Sequence, residues 1–364
     1  MLAPMLMEAL IARFALVAAL LFVVGDTSAE YTGGYLEPNN SGWSLHVDND
    51  LLSGARRDRD YTGGLAVSLS GSRAIRHPWS LDAVRQWIDL RVAGNQAYAN
   101  GKQFSLHSLE FGFTLFTPEV IGLAVPQPDE HPFASLFFLA SSQQRVFPGR
   151  KASLQSTLTV GLLGLPWAED IQSSIHDVTG GVKPLGWQHQ ISAGGELTVK
   201  YSLGLQKTLL LGSNSSGFGY EFKTTAEANI GYVSDIAGGF NWRWGRLNKP
   251  WWTFNPHQAE YISLGAPANV VVTAQGRAEV FIYAGGSISF RLYNALLQGQ
   301  FRDSAVSFNR NELQDWVAEA WFGVSIELPN RVRVSTFLRA KTPEIDRLDA
   351  SSPVWGGIAI SLAR

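Results

Sequence analysis

The sequence lacks cysteine, is poor in charged residues and has no long hydrophobic run beyond its first 29 positions. Without cysteine, no disulfide framework can hold the fold together. Charged residues make up 16% of the chain, whereas soluble domains typically carry about 25%. The net charge of −2 leaves no basic footprint, so we expect no nucleic acid partner. A spanning helix needs about 20 apolar residues, and none is expected after position 29.

What the sequence does contain is a large and dispersed apolar fraction. Hydrophobic residues account for 45% of the chain and aromatic residues for 12%, including 12 Trp and 20 Phe. A transmembrane β-barrel has such a composition, because its strands alternate lipid-facing with lumen-facing side chains and its aromatic residues gather at both interfaces. A large soluble β-sandwich alternates as well, so composition alone leaves both architectures open.

The beginning of the chain has the features of a secretory signal. Arg13 precedes an apolar run, Phe14–Val24, and small residues follow in Gly25–Ala29; these are the n-region, h-region and cleavage site of such a signal. The alternative is an N-terminal membrane anchor, but the run is shorter than the ~20 residues of a spanning helix. We therefore predict a signal peptide at residues 1–29, cleaved after Ala29.

Many short segments with the period of two typical of β-strands follow. The clearest runs from Phe104 to Phe116, where large apolar residues alternate with small or polar ones. Including it, the candidates are Trp43–Asn49, Leu65–Leu69, Phe104–Phe116, Phe133–Ala140, Leu154–Leu163, Gln188–Tyr201, Gly217–Val233, Val270–Gln275, Ala278–Ala284, Ser287–Leu292, Val317–Leu328, Arg331–Arg339 and Trp355–Leu362. We predict an all-β fold, with residues 30–364 forming one antiparallel transmembrane β-barrel of about twelve strands in a bacterial outer membrane.

One segment is predicted to be helical. Within Leu81–Leu90, the apolar residues Leu81, Val84 and Ile88 recur at helical spacing and form one stripe. The segment lies between two predicted strands. We therefore expect a short helix in a loop of the barrel.

A first polar segment contains candidates for chemistry. His46–Asp50 leads out of a predicted strand, and Asp58–Gly64 leads into the next. On a strand, Asp48 and Asp50 would share one face and Asn49 would point the other way. Carboxylate and amide oxygens at a strand end are hard ligands that suit Ca²⁺. Ordinary turn formation explains the same residue types without any ligand.

A second polar segment surrounds His176. This histidine follows a Gly- and Pro-rich exit from a predicted strand and precedes another predicted strand. An imidazole near neutral pKa can act as a general base. A single histidine is more often structural, so both interpretations stay open on the residues alone.

Together these segments resemble the lipid A 3′-O-deacylase family of outer-membrane barrels. The first resembles that family's Asn-Asp pair, here Asn49-Asp50, and the motif that follows a short loop and leads back into the next strand, here Asp60-Tyr-Thr-Gly-Gly64. The remaining motifs follow in the family's order and touch most of the chain after residue 29. They are Phe116-Thr-Pro-Glu119 with Pro128-Asp-Glu-His-Pro-Phe133, Gln172-x-x-x-His176 with Gly186-Trp-Gln-x-Gln-Ile191, and Lys341-Thr-Pro-Glu344.

The resemblance implies a calcium-dependent carboxylic ester hydrolase that removes the 3′-linked acyloxyacyl group from lipid A, the anchor of lipopolysaccharide, among the outer-membrane lipids. Carried over residue by residue, Asn49 and Asp50 match the family's active-site pair, Thr62 its threonine and His176 its histidine. In this scheme His176 removes a proton from the attacking water. Asp50 helps to hold a Ca²⁺ ion that stabilises the oxyanion.

Two family features have no match. An acidic calcium ligand that follows the histidine in relatives falls on Val182, where Asp177 or Glu169 would have to substitute. A family lysine is also absent around Phe116–Gly122. The competing hypotheses are a non-enzymatic barrel, either porin-like or structural, and a lipase using a serine such as Ser173 or Ser174 with His176 as base.

Overall fold

The computed structural model describes residues 36–54, 60–93, 103–214, 218–256, 278–328, 331–347, 350 and 352–363. The predicted signal peptide at 1–29 and the predicted strand Val270–Gln275 lie outside these residues. Twelve antiparallel strands form a closed barrel in which each strand pairs with its chain neighbours and β1 pairs with β12. The predicted fold is thus confirmed.

The strands alternate direction around the wall. They are β1 Gly42–Asn49, β2 Asp60–Ser70, β3 Phe104–Thr117, β4 Ala134–Phe147, β5 Ala152–Leu163, β6 Glu196–Ser213, β7 Phe218–Gly231, β8 Val233–Arg246, β9 Glu279–Asn294, β10 Trp316–Glu327, β11 Val332–Lys341 and β12 Val354–Ala363. We call the end where β1 leads into β2 the site end, and the other the opposite end.

Several predicted strands had wrong boundaries, and β8 was not among the predicted strands. Gln188–Tyr201 begins in a 3-10 turn at Trp187–His189, and β6 starts only at Glu196. The predicted strands Ala278–Ala284 and Ser287–Leu292 form a single strand, β9, because its central Gly-Gly pair stays in the ladder instead of turning.

The described residues include four α-helices outside the strands: α1 Arg73–Arg76, α2 Asp82–Ala93, α3 Trp167–Thr179 and α4 Ala295–Gln298. The predicted loop helix is confirmed as α2. Helix α3 was missed, although Pro166 stands at its N-cap and Gly180 ends it in the left-handed conformation, both ordinary boundary signals. None of the helices in the described part of the chain has the length and hydropathy of a membrane span.

The inner face of the wall is polar and charged. Buried Glu221 lies 2.7 Å from Lys223 Nζ and 2.8 Å from Arg243 Nη2. Buried Glu279 accepts from Arg333 Nη2 at 2.5 Å. The outward-facing positions of the strands carry exposed apolar side chains, such as Phe322 on β10. This is the inside-out pattern of a barrel that stands in lipid.

Apolar packing closes the lumen at the site end. Leu296 of α4, Tyr61, Phe116 and Trp355 belong to one buried cluster that crosses the barrel interior. Tyr61 packs against Phe116 and Trp355 at ring distances of 5.4 and 5.0 Å. Side chains therefore close the lumen of the described barrel at the site end.

Candidate active site

Asn49 ties together the two strands of the first hairpin. Its Oδ1 accepts from the backbone N–H of Leu51 at 2.8 Å, and its Nδ2 donates to the carbonyl of Thr62 at 2.7 Å. Gly63 makes this close approach possible, because a Cβ there would lie 3.0 Å from Asn49 Nδ2. Both ends of the amide are engaged in holding the backbone, so Asn49 positions its neighbours.

The sequence had suggested that Asp48 and Asp50 share one face of a strand, but they do not. The strand ends at Asn49, and Asp50 opens a 3-10 turn, Asp50–Ser53, where it is buried. Asp48 remains in β1 and accepts from the hydroxyl of Tyr61 at 2.5 Å. The end of the strand thus separates a lumenal carboxylate, Asp48, from Asp50 at the rim.

Thr62 occupies a bulge in β2. The register between β2 and β3 shifts at Tyr61 and Gly63, which makes Thr62 the extra residue. Its hydroxyl lies 2.7 Å from that of Thr117, and both side chains are buried. A bulge re-aims a side chain. Here it directs Thr62 to the outer side of the wall, the side of Thr117 and Leu115.

Helix α3 covers the outer side of the wall at the site end. Ala168 belongs to a buried cluster with Leu115 of β3 and Phe133, against which Ile171 packs. Trp167, at the start of α3, meets Phe137 of β4 edge-on at 6.1 Å. The outward positions of β3 and β4 therefore form the floor on which the helix lies.

The motif after the histidine fastens this helix. Trp187 Nε1 donates to Gln172 Oε1 at 2.7 Å, and both side chains are buried. Trp187 also packs on Phe133 with 5.0 Å between the rings. Gln172 lies one helical turn before His176, so the bond fixes the part of α3 that carries the candidate base.

His176 is buried and has a defined orientation. Its Nδ1 donates to the carbonyl of Val182 at 2.5 Å. A proton on Nδ1 places the lone pair on Nε2, which is the tautomer that a general base needs. Gly181 lies beside the ring, and a Cβ at that position would come within 2.6 Å of Nδ1. The chain reversal after α3 therefore sets both the tautomer and the position of the imidazole.

Strand β3 connects the two halves of the candidate site. Thr117 bonds to Thr62, and Leu115 two residues earlier packs under α3. Asn49 and Thr62 are in direct contact, Asp50 adjoins them, and His176 belongs to the helix on the same side of the wall. The structure thus places the four predicted residues at the site end, with Thr62 and His176 both on the outer side of the wall.

Three further residues of this region escaped the sequence reasoning. Thr117, Gln172 and Trp187 lie within the quoted motifs but had no assigned role. Their signal was a polar or aromatic side chain beside a turn, which is too common to stand out in one sequence.

The donors available for a metal ion are oxygen atoms. Asp50 supplies a buried carboxylate at the rim, and hard oxygen donors of this kind suit Ca²⁺. Across the described ranges, no three His, Asp or Glu side chains converge on one point. Asp177 is exposed, and Val182 contributes its carbonyl to His176. The donor set fits Ca²⁺ in kind, with backbone carbonyls and water needed to complete it.

The last motif belongs to the lumen. Lys341 Nζ lies 2.5 Å from Glu344 Oε2, and Arg291 also pairs with Glu344. Burial opposes ionisation of Glu344, but Lys341 and Arg291 outweigh it and lower its pKa to about 2. His131 stacks on Phe116 at 5.1 Å, and burial lowers its pKa. The ion pairs of Glu344 and the stacked His131 thus pack on the inner side of the wall, behind the candidate site.

Comparison with known families assigns the chain. The model of the family described as "Outer membrane protein LpxR" matches residues 13–364. The chain belongs to the LpxR family. It is therefore a bacterial outer-membrane protein, and the resemblance noted in its motifs, to the lipid A 3′-O-deacylase family, is confirmed.

A solved structure of the family has the same fold, and weaker similarities to other outer-membrane barrels were also found. LpxR from Salmonella typhimurium superposes with a TM-score of 0.66 at 17% identity and covers 88% of this chain and 99% of its own. The β-domain of the Bordetella autotransporter BrkA has a TM-score of 0.41 at 10% identity, covering 89% of this chain and 99% of its own. The COG4313 outer membrane channel from Pseudomonas putida F1 has a TM-score of 0.40 at 8% identity, covering 93% of this chain and 100% of its own. Among curated proteins, no match was found.

Proposed function

We propose that this LpxR-family barrel is a lipid A deacylase that hydrolyses the ester of the 3′-linked acyloxyacyl group in the outer leaflet. The observation that carries the proposal is the orientation of His176, a buried imidazole with its Nδ1 bound to a backbone carbonyl, on a helix that lies against the outer wall. Family membership supports the substrate class. The site residues Asn49, Asp50, Thr62 and His176 remain predictions.

The surroundings of the site suit a lipid substrate. Trp167, Ile175, Val182 and Leu185, on α3 and the segment after it, are exposed. Apolar side chains at that place would contact acyl chains once the barrel stands in a membrane. A lipid ester could then reach the site laterally along the wall, without entering the lumen.

The proposed reaction is hydrolysis by an activated water. Nε2 of His176 takes a proton as the water oxygen attacks the ester carbonyl carbon and a tetrahedral intermediate forms. The intermediate then expels the sugar 3′ oxygen, which receives the proton from His176. The products are a 3′-hydroxyl and a free acyloxyacyl acid. General base catalysis of this type contributes about 10²- to 10⁴-fold.

The other residues prepare the site. Asn49 holds Thr62 and the turn of Asp50 at fixed positions. The Asp50 carboxylate would hold a Ca²⁺ ion, which when bound would act as a Lewis acid toward the developing oxyanion. Calcium affinity in proteins depends on the number of charged ligands. With Asp50 as the carboxylate at this rim, we expect weak, readily chelated calcium binding.

A serine lipase has less support. The hydroxyl of Ser174 donates to the carbonyl of Asp170 at 2.7 Å on the exposed side of α3. It is thus bonded along its own helix. Serine-directed inhibitors should leave the activity unchanged if water is the nucleophile.

The proposal is tested with purified protein in detergent and lipid A as substrate, measuring the released acyl groups. The native chain with Ca²⁺ should release the acyloxyacyl acid. His176→Ala should lower the rate about 10²-fold or more, and a chelator should abolish the native activity reversibly. His77→Ala, at the opposite end, is the matched control. Equal rates for the native chain and His176→Ala would refute the assigned base.

A further inference from the structure

Helix α2, which the β2–β3 connection places at the opposite end, lies on the outside of the barrel with its charged side facing the wall. Arg85 is 1% exposed and Asp89 is 4% exposed. The two side chains, four residues apart, form an ion pair of 2.7 Å. Val84, from the apolar stripe found in the sequence, lies on the side of the helix that faces away from the wall.

The wall beneath α2 is polar on its outer face. Asp89 accepts from Arg145 at 3.0 Å, from Ser156 at 2.9 Å and from Tyr201 at 2.7 Å. In the ladders, Ser156 and Tyr201 are neighbours of the lumen-facing Thr157 and Lys200, so by strand alternation they point outward. Without α2, these groups would face the surroundings of the barrel. The helix pairs them with its own charges.

The other side of α2 is apolar and uncovered. Val84 is 54% exposed, Trp87 56% and Leu90 43%. Trp79, just before the helix, is 61% exposed and meets Phe111 of the outer wall at 5.2 Å. The uncovered face of α2 is thereby continuous with the lipid-facing surface of the strands.

We propose that α2 is an in-plane membrane helix whose uncovered face, Val84, Trp87 and Leu90, contacts the acyl chains of membrane phospholipids. In lipid every polar group must find its hydrogen-bond partner within the protein. Asp89 provides this partner for Arg145, Ser156 and Tyr201 on the polar part of the wall. In water the same arrangement would bury charge and expose apolar surface. Arg91, 4.7 Å above the Trp87 ring, is a cation placed to reach a lipid phosphate.

The proposal rests on the outer-membrane location and not on the enzymatic activity. A second copy of the chain is the alternative occupant. Lipid is favoured because the uncovered face continues the wall surface that lipid already covers in an outer-membrane barrel, and because it ends at a cation over an aromatic ring, as interfacial helices do.

The test uses spin labels, since the chain has no cysteine of its own. Val84→Cys and Leu90→Cys are labelled with a nitroxide, and the full-length barrel is placed in phosphatidylethanolamine–phosphatidylglycerol vesicles. Collision rates with oxygen, which partitions into lipid, are compared with those of a water-soluble nickel chelate. Phe322→Cys on the exposed wall of β10 is the lipid reference, and Asp303→Cys, in the exposed β9–β10 connection, is the water reference.

Both α2 labels should give oxygen-to-nickel ratios close to that of Phe322→Cys and several-fold above that of Asp303→Cys. A ratio at the level of Asp303→Cys would place the helix in water and overturn the proposal. Low collision rates with both reagents would indicate a protein contact, such as a second copy, and would overturn it equally. Unfolded protein is recognised because the barrel then loses its compact migration on unheated gels.

Discussion

Gly181 is the residue where the smallest change should have the clearest effect on the site. A methyl group there would lie 2.6 Å from Nδ1 and 2.8 Å from Cγ of His176, so the imidazole would have to move. A base displaced by about 1 Å costs on the order of 10²-fold in rate. We expect Gly181→Ala to lower kcat for lipid A hydrolysis by that order, with the barrel still folded.

Gly149→Ala is the matched control for this prediction. It is the same substitution in the turn between β4 and β5, where an added Cβ meets nothing within 4 Å. Native rates are expected for it. Native kcat in Gly181→Ala would show that the ring position is not critical.

Glu344 gives the molecule an acid-sensitive contact. Its pKa in the folded protein is about 2, against 4.5 for an unperturbed glutamate. Because the folded pKa is lowered, the stabilisation is present above pH 4.5 and is lost as the pH falls toward 2. At 1.36 kcal/mol per pKa unit, the lowered pKa of Glu344 contributes about 3 kcal/mol to the free energy of unfolding when the group is fully ionised.

The measurement is thermal unfolding in detergent between pH 6 and pH 2. The native chain should lose stability over this range more steeply than Glu344→Gln, which cannot ionise at that position. Parallel curves for the two proteins would show that Glu344 is not the group responsible.

At the scale of single residues, the sequence identified the polar candidate residues of the site, but it did not predict which of them are in contact. Asn49 and Thr62 were singled out separately, and their direct bond depends on a bulge that the alternating pattern does not reveal. The turn interpretation of Asn49 also holds, since its side chain caps the turn of Asp50. Thr117 looked like any strand-end threonine, because pairing between residues far apart in sequence cannot be read from local pattern.

Among the elements, α3 is the one on which the site depends. Trp187→Phe keeps the ring but removes the N–H that bonds to Gln172. A buried acceptor that loses its donor costs about 1–3 kcal/mol. We expect the attachment of α3 to weaken, with faster proteolytic cleavage in the β5–β6 connection and lower deacylase activity.

Trp316→Phe, on the exposed wall of β10, is the control for this change and should behave like the native chain. If Trp187→Phe is also native in cleavage and in activity, the bond to Gln172 does not hold the helix.

Most strands were predictable because the wall imposes a period of two over most of their length, but β8 was not predicted. Helix α3 was missed although Ala168, Ile171 and Ile175 recur at helical spacing. Pro166 and Gly180 also mark its ends, but the segment was interpreted only as a Gly- and Pro-rich strand exit.

Helix α2 was predicted as a loop helix within Leu81–Leu90, and it extends to Ala93. Which of its faces packs on the wall was not predicted, because that depends on the polar outer face of the strands beneath it.

For the whole molecule, closure of the lumen at the site end argues against a porin. Glu221, Lys223 and Arg243 pair on the inner face of the adjacent strands β7 and β8, and α4 closes the site end with apolar packing. We expect the purified barrel in planar lipid bilayers to show no open-channel steps of porin size. Stable conductance steps that disappear on unfolding would instead support the porin-like alternative.

The fold as a whole was accessible from the sequence, since the strand number and the outer-membrane location both follow from dispersed apolar residues behind a predicted export signal. That Thr62 and His176 share the outer side of the wall was not accessible. It depends on which face of β3 receives α3, and only the three-dimensional packing of Leu115 and Phe133 shows this.

The most direct test of the central claim is a mass spectrum of lipid A from outer membranes that contain either the native chain or His176→Ala. We expect a lipid A species that is lighter by one complete acyloxyacyl group with the native chain and unmodified lipid A with His176→Ala. Unmodified lipid A with the folded native chain at saturating Ca²⁺, or the same loss of mass with His176→Ala, would contradict it.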